Sequence, residues 1–216
     1  MKNLIYKEIR LVIQPPVYIM ALCGALVLVP AYPYFVGVSY SMLAILICFS
    51  VARANNDHVF TSMLPIHRKD IVGAKLFTVC FTELLTLLVA IPCAILSSCL
   101  INTTGNIVGM DANFAFFGLT LIAYSVFNII FLPWYFKTGY KTGVPMAVAM
   151  IVYVLLVCLF ELVINLVPFL KTNLDSLDPA TFGYQLIVLA FGVVMFLVTA
   201  IITYKKSNKN FKKVSL

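Results

Sequence analysis

Residues 17–52 read VYIMALCGALVLVPAYPYFVGVSYSMLAILICFSVA, 36 consecutive positions without a charged side chain. As one helix rising about 1.5 Å per residue, this stretch would reach roughly 54 Å, whereas the hydrocarbon core of a bilayer is about 30 Å thick. It has to fold back on itself. Pro30 and Pro33 supply the break, and Tyr32 and Tyr34 supply aromatic rings suited to the interface. The reading is a hairpin of two spans, 17–33 and 36–52. That choice decides on which side of a membrane every later segment lies.

Four more apolar stretches follow, 76–101, 114–136, 144–170 and 183–204, each long enough for one crossing. The chain is 62% hydrophobic and 11% charged, whereas soluble domains carry about 25% charged residues. The expected fold is therefore a single all-α membrane domain, residues 1–216, with six transmembrane helices. The basic residues support it. With the N-terminus inside, the inner pieces hold Lys2, Lys7 and Arg10, then Arg53, Arg68, Lys69 and Lys75, then Lys137 and Lys141, and finally Lys205, Lys206, Lys209, Lys212 and Lys213. The outer pieces hold only Lys171, with Asp111, Asp175 and Asp178. If 17–52 were a single span, the 53–75 loop and its four cations would move outside, against the positive-inside rule. Both termini are thus expected in the cytoplasm, and the net charge of +7 needs no nucleic acid, only topology and anionic inner-leaflet lipid. No cleavable leader is expected.

Residues 1–16 form a weakly amphipathic start, with Leu4, Ile5, Ile9 and Val12 on one broad face and Lys7 and Arg10 towards the other. The tail from residue 205 onward, with five lysines, is expected on the membrane surface or without order. Six cysteines, all within apolar stretches and without a C-x-x-C pair, read as small packing residues.

The only sizeable inner loop is 53–75. Asn55, Asn56 or Asp57 can N-cap a short helix whose Val59, Phe60, Met63 and Leu64 share one face, and Pro65 ends it. Such a helix either lies on lipid or fits a groove on a soluble partner. The run Asn56-Asp57 through Met63-Leu64-Pro65-Ile66-His67-Arg68, then Ile71-Val72 and Lys75, resembles a signature of small ABC type-2 permeases. The resembling branch contains bacteriocin-immunity permeases and permeases that export phenol-soluble modulins. The start Leu4-Ile5-x-Lys7-Glu8-Ile9-x-Leu11 resembles the same branch; Met63 stands where Leu is usual and Asp57 where a longer acid is common. The resemblance implies a permease subunit in a bacterial plasma membrane. It further implies an N-terminal elbow helix, a coupling helix between spans 2 and 3, a second copy of the chain, and two separate ATPase subunits that hold ATP and magnesium. By it, Asp57, Phe60, Met63, Leu64, Pro65 and Arg68 would pass ATPase closure to the spans, and the cargo would be amphipathic or antimicrobial peptide.

The chain itself carries no G-x-x-x-x-G-K-[ST] loop, and Gly139-Tyr140-Lys141-Thr142-Gly143 lacks the upstream glycine such a loop needs. His58 and His67 lie nine apart in one loop, which is not the spacing of a helical metal site, so no metal and no bound cofactor are expected. No catalytic residue is assigned. Glu83 in the third span and Glu161 in the outer half of the fifth are costly at membrane depth and must face protein or water. They either pair locally with Lys75, Lys141 or a hydroxyl, or make a hydrogen bond between helices, or line a path for a cationic or amphipathic substrate. Asn128 is a further candidate for that path, or for contact between helices along with Asn165. Two alternatives stay open: an ion-gradient-driven transporter, which would depend on Glu83 or Glu161, and a membrane scaffold that transports nothing.

Overall fold

In a computed structural model, residues 2–63, 65–101, 106–176 and 178–213 are described, and every regular element among them is helical. The chain runs through α1 (Lys2–Lys7), α2 (Pro15–Leu22), α3 (Tyr34–Ala54), α4 (Asp57–Met63), α5 (Arg68–Leu96), α6 (Phe114–Lys137), α7 (Gly143–Leu166), α8 (Pro168–Leu174) and α9 (Phe182–Phe211). Five of these, α3, α5, α6, α7 and α9, are long and apolar enough to cross a membrane. A sixth crossing depends on the N-terminal pair, Lys2–Val12 and Pro15–Leu28, which is bent by 81°.

The expected first span shifts at both limits. Pro15 and Pro16 occupy the first positions of α2, where the missing N–H costs nothing, so the helix starts before residue 17. It tightens into a 3₁₀ helix over Cys23–Leu28 and stops there. The combined segment rises roughly 24 Å, short of a full hydrocarbon core. The fold-back itself is present: the chain turns over residues 29–33, and α3 returns beside α2 with Gly37 against the Cys23 carbonyl and Leu26.

Two ends of the bundle follow from long-range contacts. At one end the turn after α2 meets the loop before α6, where the Ile107 amide donates to the Pro30 carbonyl (3.2 Å). At the other end α1, α4 and the end of α9 gather: Lys7 reaches Asp57, and Arg68 donates to the Phe211 carbonyl (3.1 Å). Both ends of the described chain therefore lie together, as an even number of crossings requires.

α6 forms the axis. Phe116, Tyr124, Phe127, Phe131 and Tyr135 along it are fully buried, and Phe49 of α3 meets Phe131 and Tyr135 edge-on at 4.9 and 4.8 Å between centroids. α9 runs parallel to α6 at very close range. A Cβ on Gly118 would stand 2.6 Å from the Val188 carbonyl, and one on Gly192 would collide with the Gly118 backbone. Close packing through small residues is how helices associate where lipid removes the usual hydrophobic drive. The outward faces of α7 and α9 carry exposed rows such as Ile151, Leu155 and Leu162, and Ile187, Phe191 and Leu197. Faces of that extent suit lipid and not water.

The basic tail departs from expectation. α9 continues without a break to Phe211, whose ring is buried against Phe136 and Tyr140. Tyr140 itself sits in the left-handed region (φ 68), where a side chain is strained, and this aromatic cluster with Tyr135 holds it there. Lys205, Lys206 and Lys209 thus lie on a helix anchored by one aromatic residue, and Lys212 and Lys213 follow its end. The six cysteines are all free; Cys48 is a packing residue in the full sense, whereas Cys99 and Cys158 are exposed.

Candidate functional site: the helix between the second and third spans

α3 ends at Ala54, and Asn56 takes a left-handed conformation (φ 50), which reverses the chain into α4. Among the described residues, no side chain of Asn55, Asn56 or Asp57 is seen to cap α4. The Asn56 backbone carbonyl receives the Phe60 amide (3.2 Å), and the Asp57 carboxylate points to lysines instead. Phe60 and Met63 are 61% and 79% exposed. Pro65 is exposed beyond the helix, and Leu64 lies outside the described residues.

The root of α4 is fastened inward by four charges on three elements. Lys7 Nζ lies 2.7 Å from Asp57 Oδ1 and 3.4 Å from Glu8 Oε1. Lys75 Nζ, on α5, lies 2.9 Å from Glu8 Oε1 and 3.1 Å from Asp57 Oδ2. Thr61 on α4 donates to Asp57 and accepts from Lys7, and Thr78 on α5 donates to Glu8 (3.0 Å). Lys75 and Glu8 side chains are 3% and 1% exposed, and the Lys75 ammonium lies 5.8 Å from the centre of the Phe49 ring. Burial pushes the Asp57 carboxyl up, but Lys75 and Lys7 outweigh it and hold the group below the usual aspartate range. Two cations and two anions balance, which is the condition for burying charge at tolerable cost.

This cluster was only partly legible beforehand. Asp57, which the resemblance makes one of the residues that pass ATPase closure to the spans, faces its own fold, against Lys7 and Lys75. Lys7 was placed on the outer side of the N-terminal helix. A π-helical turn over Glu8–Val12, closed by the Ile13 amide on the Glu8 carbonyl (3.0 Å), shifts the helical phase and turns Lys7 and Glu8 inward together. Glu8, Thr61 and Thr78 carried no assigned role; the Lys7-Glu8 pair inside an otherwise apolar run was the signal that could have found the first. Arg68, though exposed, reaches the end of α9, donating to the Phe211 carbonyl and lying 5.3 Å from the Phe211 ring centre.

The two intramembrane acids do not converge. Glu83 is wholly buried between α5 and α6, where Asn128 Nδ2 donates to its Oε2 (2.9 Å), so its partner is Asn128 and not Lys75 or Lys141. Glu161 is half-buried at the far end of α7, accepting from the Met110 amide (3.3 Å) and lying against Gly109. Asn165 donates to the Glu161 carbonyl within its own helix and, among the described residues, bridges to no other helix.

Residues 3–212 match the family model described as ABC-2 family transporter protein. No curated protein and no solved structure matches the chain.

Proposed function

The chain belongs to the ABC-2 transporter family, and from that premise we propose that it is the permease subunit of an ATP-driven exporter in a bacterial plasma membrane. Members are membrane transport components that work with an ATPase partner and are not themselves catalytic. In this reading two copies of the chain pair with two ATPase subunits, which hold ATP and magnesium. The basic end of the bundle, with both termini and α4, faces the cytoplasm, as the positive-inside rule favours. The Lys2–Val12 segment serves as the elbow. The cargo is an amphipathic or antimicrobial peptide of the phenol-soluble-modulin or bacteriocin kind, as the resemblance in the loop implies.

One observation carries the coupling role. α4 offers Phe60 and Met63 outward while its first residue is clamped between Lys7 and Lys75. Apolar anchors on an exposed short helix suit a pocket on a soluble partner. Force applied there passes through Asp57 to α1 and α5 together. Pro65, exposed just beyond α4, stiffens the edge of the docking face, and Arg68 ties the start of α5 to the end of α9. An ion-gradient mechanism would depend on Glu83 or Glu161; in this conformation Glu83 is enclosed, and Glu161 accepts from the Met110 amide.

The test is Phe60→Asp with Met63→Asp. The variant is expected to insert and unfold like the parent, since both positions are exposed, while losing co-purification with the ATPase and nucleotide-dependent peptide flux in vesicles. Undiminished flux would remove α4 from the coupling path.

A further inference from the structure

At the end of the bundle away from the termini, α5, α6 and α9 part to leave a crevice of about 500 Å³. That falls in the range of roughly 300–1,000 Å³ typical of small-molecule sites. Its lining is graded along the helix axes. Ser98, Asn113 and Gln185 stand at the level of the helix ends beside the rings of Phe114 and Phe182, while the side chains one to two turns deeper, Ile91, Phe117 and Leu189, are all apolar. The span from Ser98 to Ile91 is roughly 10 Å.

Gln185 is the informative side chain. It is 0% exposed, and its Nε2 donates to the Ser176 carbonyl (2.7 Å) and to the Thr181 hydroxyl (3.1 Å). Its Oε1 has no partner among the described residues. A buried acceptor left empty is unfavourable, so the site is complementary to a donor. Asn113 beside it is fully employed: its Oδ1 receives the Phe116 amide and its Nδ2 donates to the Leu174 and Ser176 carbonyls. The segments that hold these two amides also carry the acids. The Asp111 amide donates to Asp175 Oδ1 (2.8 Å), and Glu161 braces the same loop through Met110. Asp178 follows three residues on, and Lys171 is the sole cation in the sequence at this end.

We propose that this crevice binds a cationic single-chain amphiphile, tail downward beside Ile91, Phe117 and Leu189, with an ammonium N–H donated to Gln185 Oε1 under the field of Asp111 and Asp175. Three features select that chemistry: polar groups confined to the outer level above an apolar floor match one head and one tail, the empty acceptor matches a donor, and the acids on the adjoining loops match a positive charge. The site stands apart from α4 and from nucleotide, so it survives or fails independently of the transport reading.

The experiment uses the full chain in zwitterionic nanodiscs with a dodecylamine carrying a photoreactive diazirine at the tail end. Saturable labelling is expected at Phe117 and Leu189, displaced by dodecylamine but not by dodecyl sulfate. Dodecyltrimethylammonium, which has charge but no N–H, should compete about tenfold less well, the loss of one charge-assisted hydrogen bond. Gln185→Leu should weaken binding by about the same factor. Should that variant fail to fold, Ile95→Trp fills the crevice from an exposed wall and should abolish saturable labelling. The proposal is overturned by labelling that is unsaturable and spread over the lipid faces of α7 and α9. It is equally overturned by dodecyl sulfate or dodecanol competing as well as the amine, or by no labelling because lipid or a second copy fills the space.

Discussion

Lys75→Met is the perturbation that best tests the charge cluster. The ammonium sits 2.9 Å from Glu8 and 3.1 Å from Asp57, and at an effective dielectric near 20 each contact is worth about 5 kcal/mol before desolvation. Most of that offsets the cost of burying the ion. Breaking a buried pair by removing one partner is nonetheless expensive, about 3–5 kcal/mol, because the other charge is stranded. Glu8, 1% exposed, would be the stranded group, and Lys7 at 3.4 Å would compensate only in part. We expect a loss of about 3 kcal/mol for Lys75→Met. Lys7→Met should cost about 1 kcal/mol, since Lys7 is 15% exposed and Lys75 remains. Glu8→Gln combined with Lys75→Met should recover at least about 1 kcal/mol relative to additivity, because no lone charge remains. The assay is reversible unfolding in mixed micelles, with flux of the variants in vesicles read beside it. A Lys75→Met cost below about 1 kcal/mol, or a double variant additive within about 0.5 kcal/mol, would refute the cluster as the link between α1, α4 and α5.

Gly192→Val should cost about 3 kcal/mol or more in the same unfolding assay, because its Cβ enters the Gly118 backbone, whereas Gly183→Ala, with open space around it, should be neutral or slightly stabilising. Asn128→Leu removes the bond to Glu83 and should cost about 2 kcal/mol, and pairing it with Glu83→Leu should restore much of that. Acid should act oppositely at the two ends. Asp57 is held below its ordinary range, so its contribution is present above about pH 3.9 and is lost as pH falls through the lower folded value. Burial pushes Asp111 and Asp175 up, so their contribution is present below that pH and is lost as pH rises through the raised values. Amide exchange in residues 106–113 should therefore speed up on raising pH from mildly acid, after correction for intrinsic rates, while α4 stays protected; equal exchange at both pH values would contradict this.

Several elements were readable in advance because each depends on one segment and its solvent. The fold-back in 17–52 follows from length against bilayer thickness. Span limits for the long helices moved by only a few residues at most ends, since the transfer cost of charge sets them. Where they moved further, a local cause is visible. α5 begins at Arg68, because residues after Pro65 can helix before they reach lipid, and α9 runs on to Phe211, because an aromatic pocket awaits that ring. The exposed anchors Phe60 and Met63 were legible from their spacing on α4.

The partners of the charged residues were not. Glu8 meets Lys75 across 67 positions, and Asn128 meets Glu83 across 45. Which side chains face each other depends on how each helix is rotated about its own axis, and hydropathy along a span that is apolar on every side barely constrains that rotation. A single π turn after Lys7 rotated two charges from the surface into the interior. The crevice with its empty Gln185 acceptor is likewise a property of three helix ends that diverge. The amino-acid order by itself determined that this chain lies in a membrane, that its first apolar stretch folds back, and that a short helix with exposed apolar side chains stands between two long apolar ones. Only tertiary packing decided which charges neutralise one another, because that is settled by rotation and close approach between segments far apart in the chain.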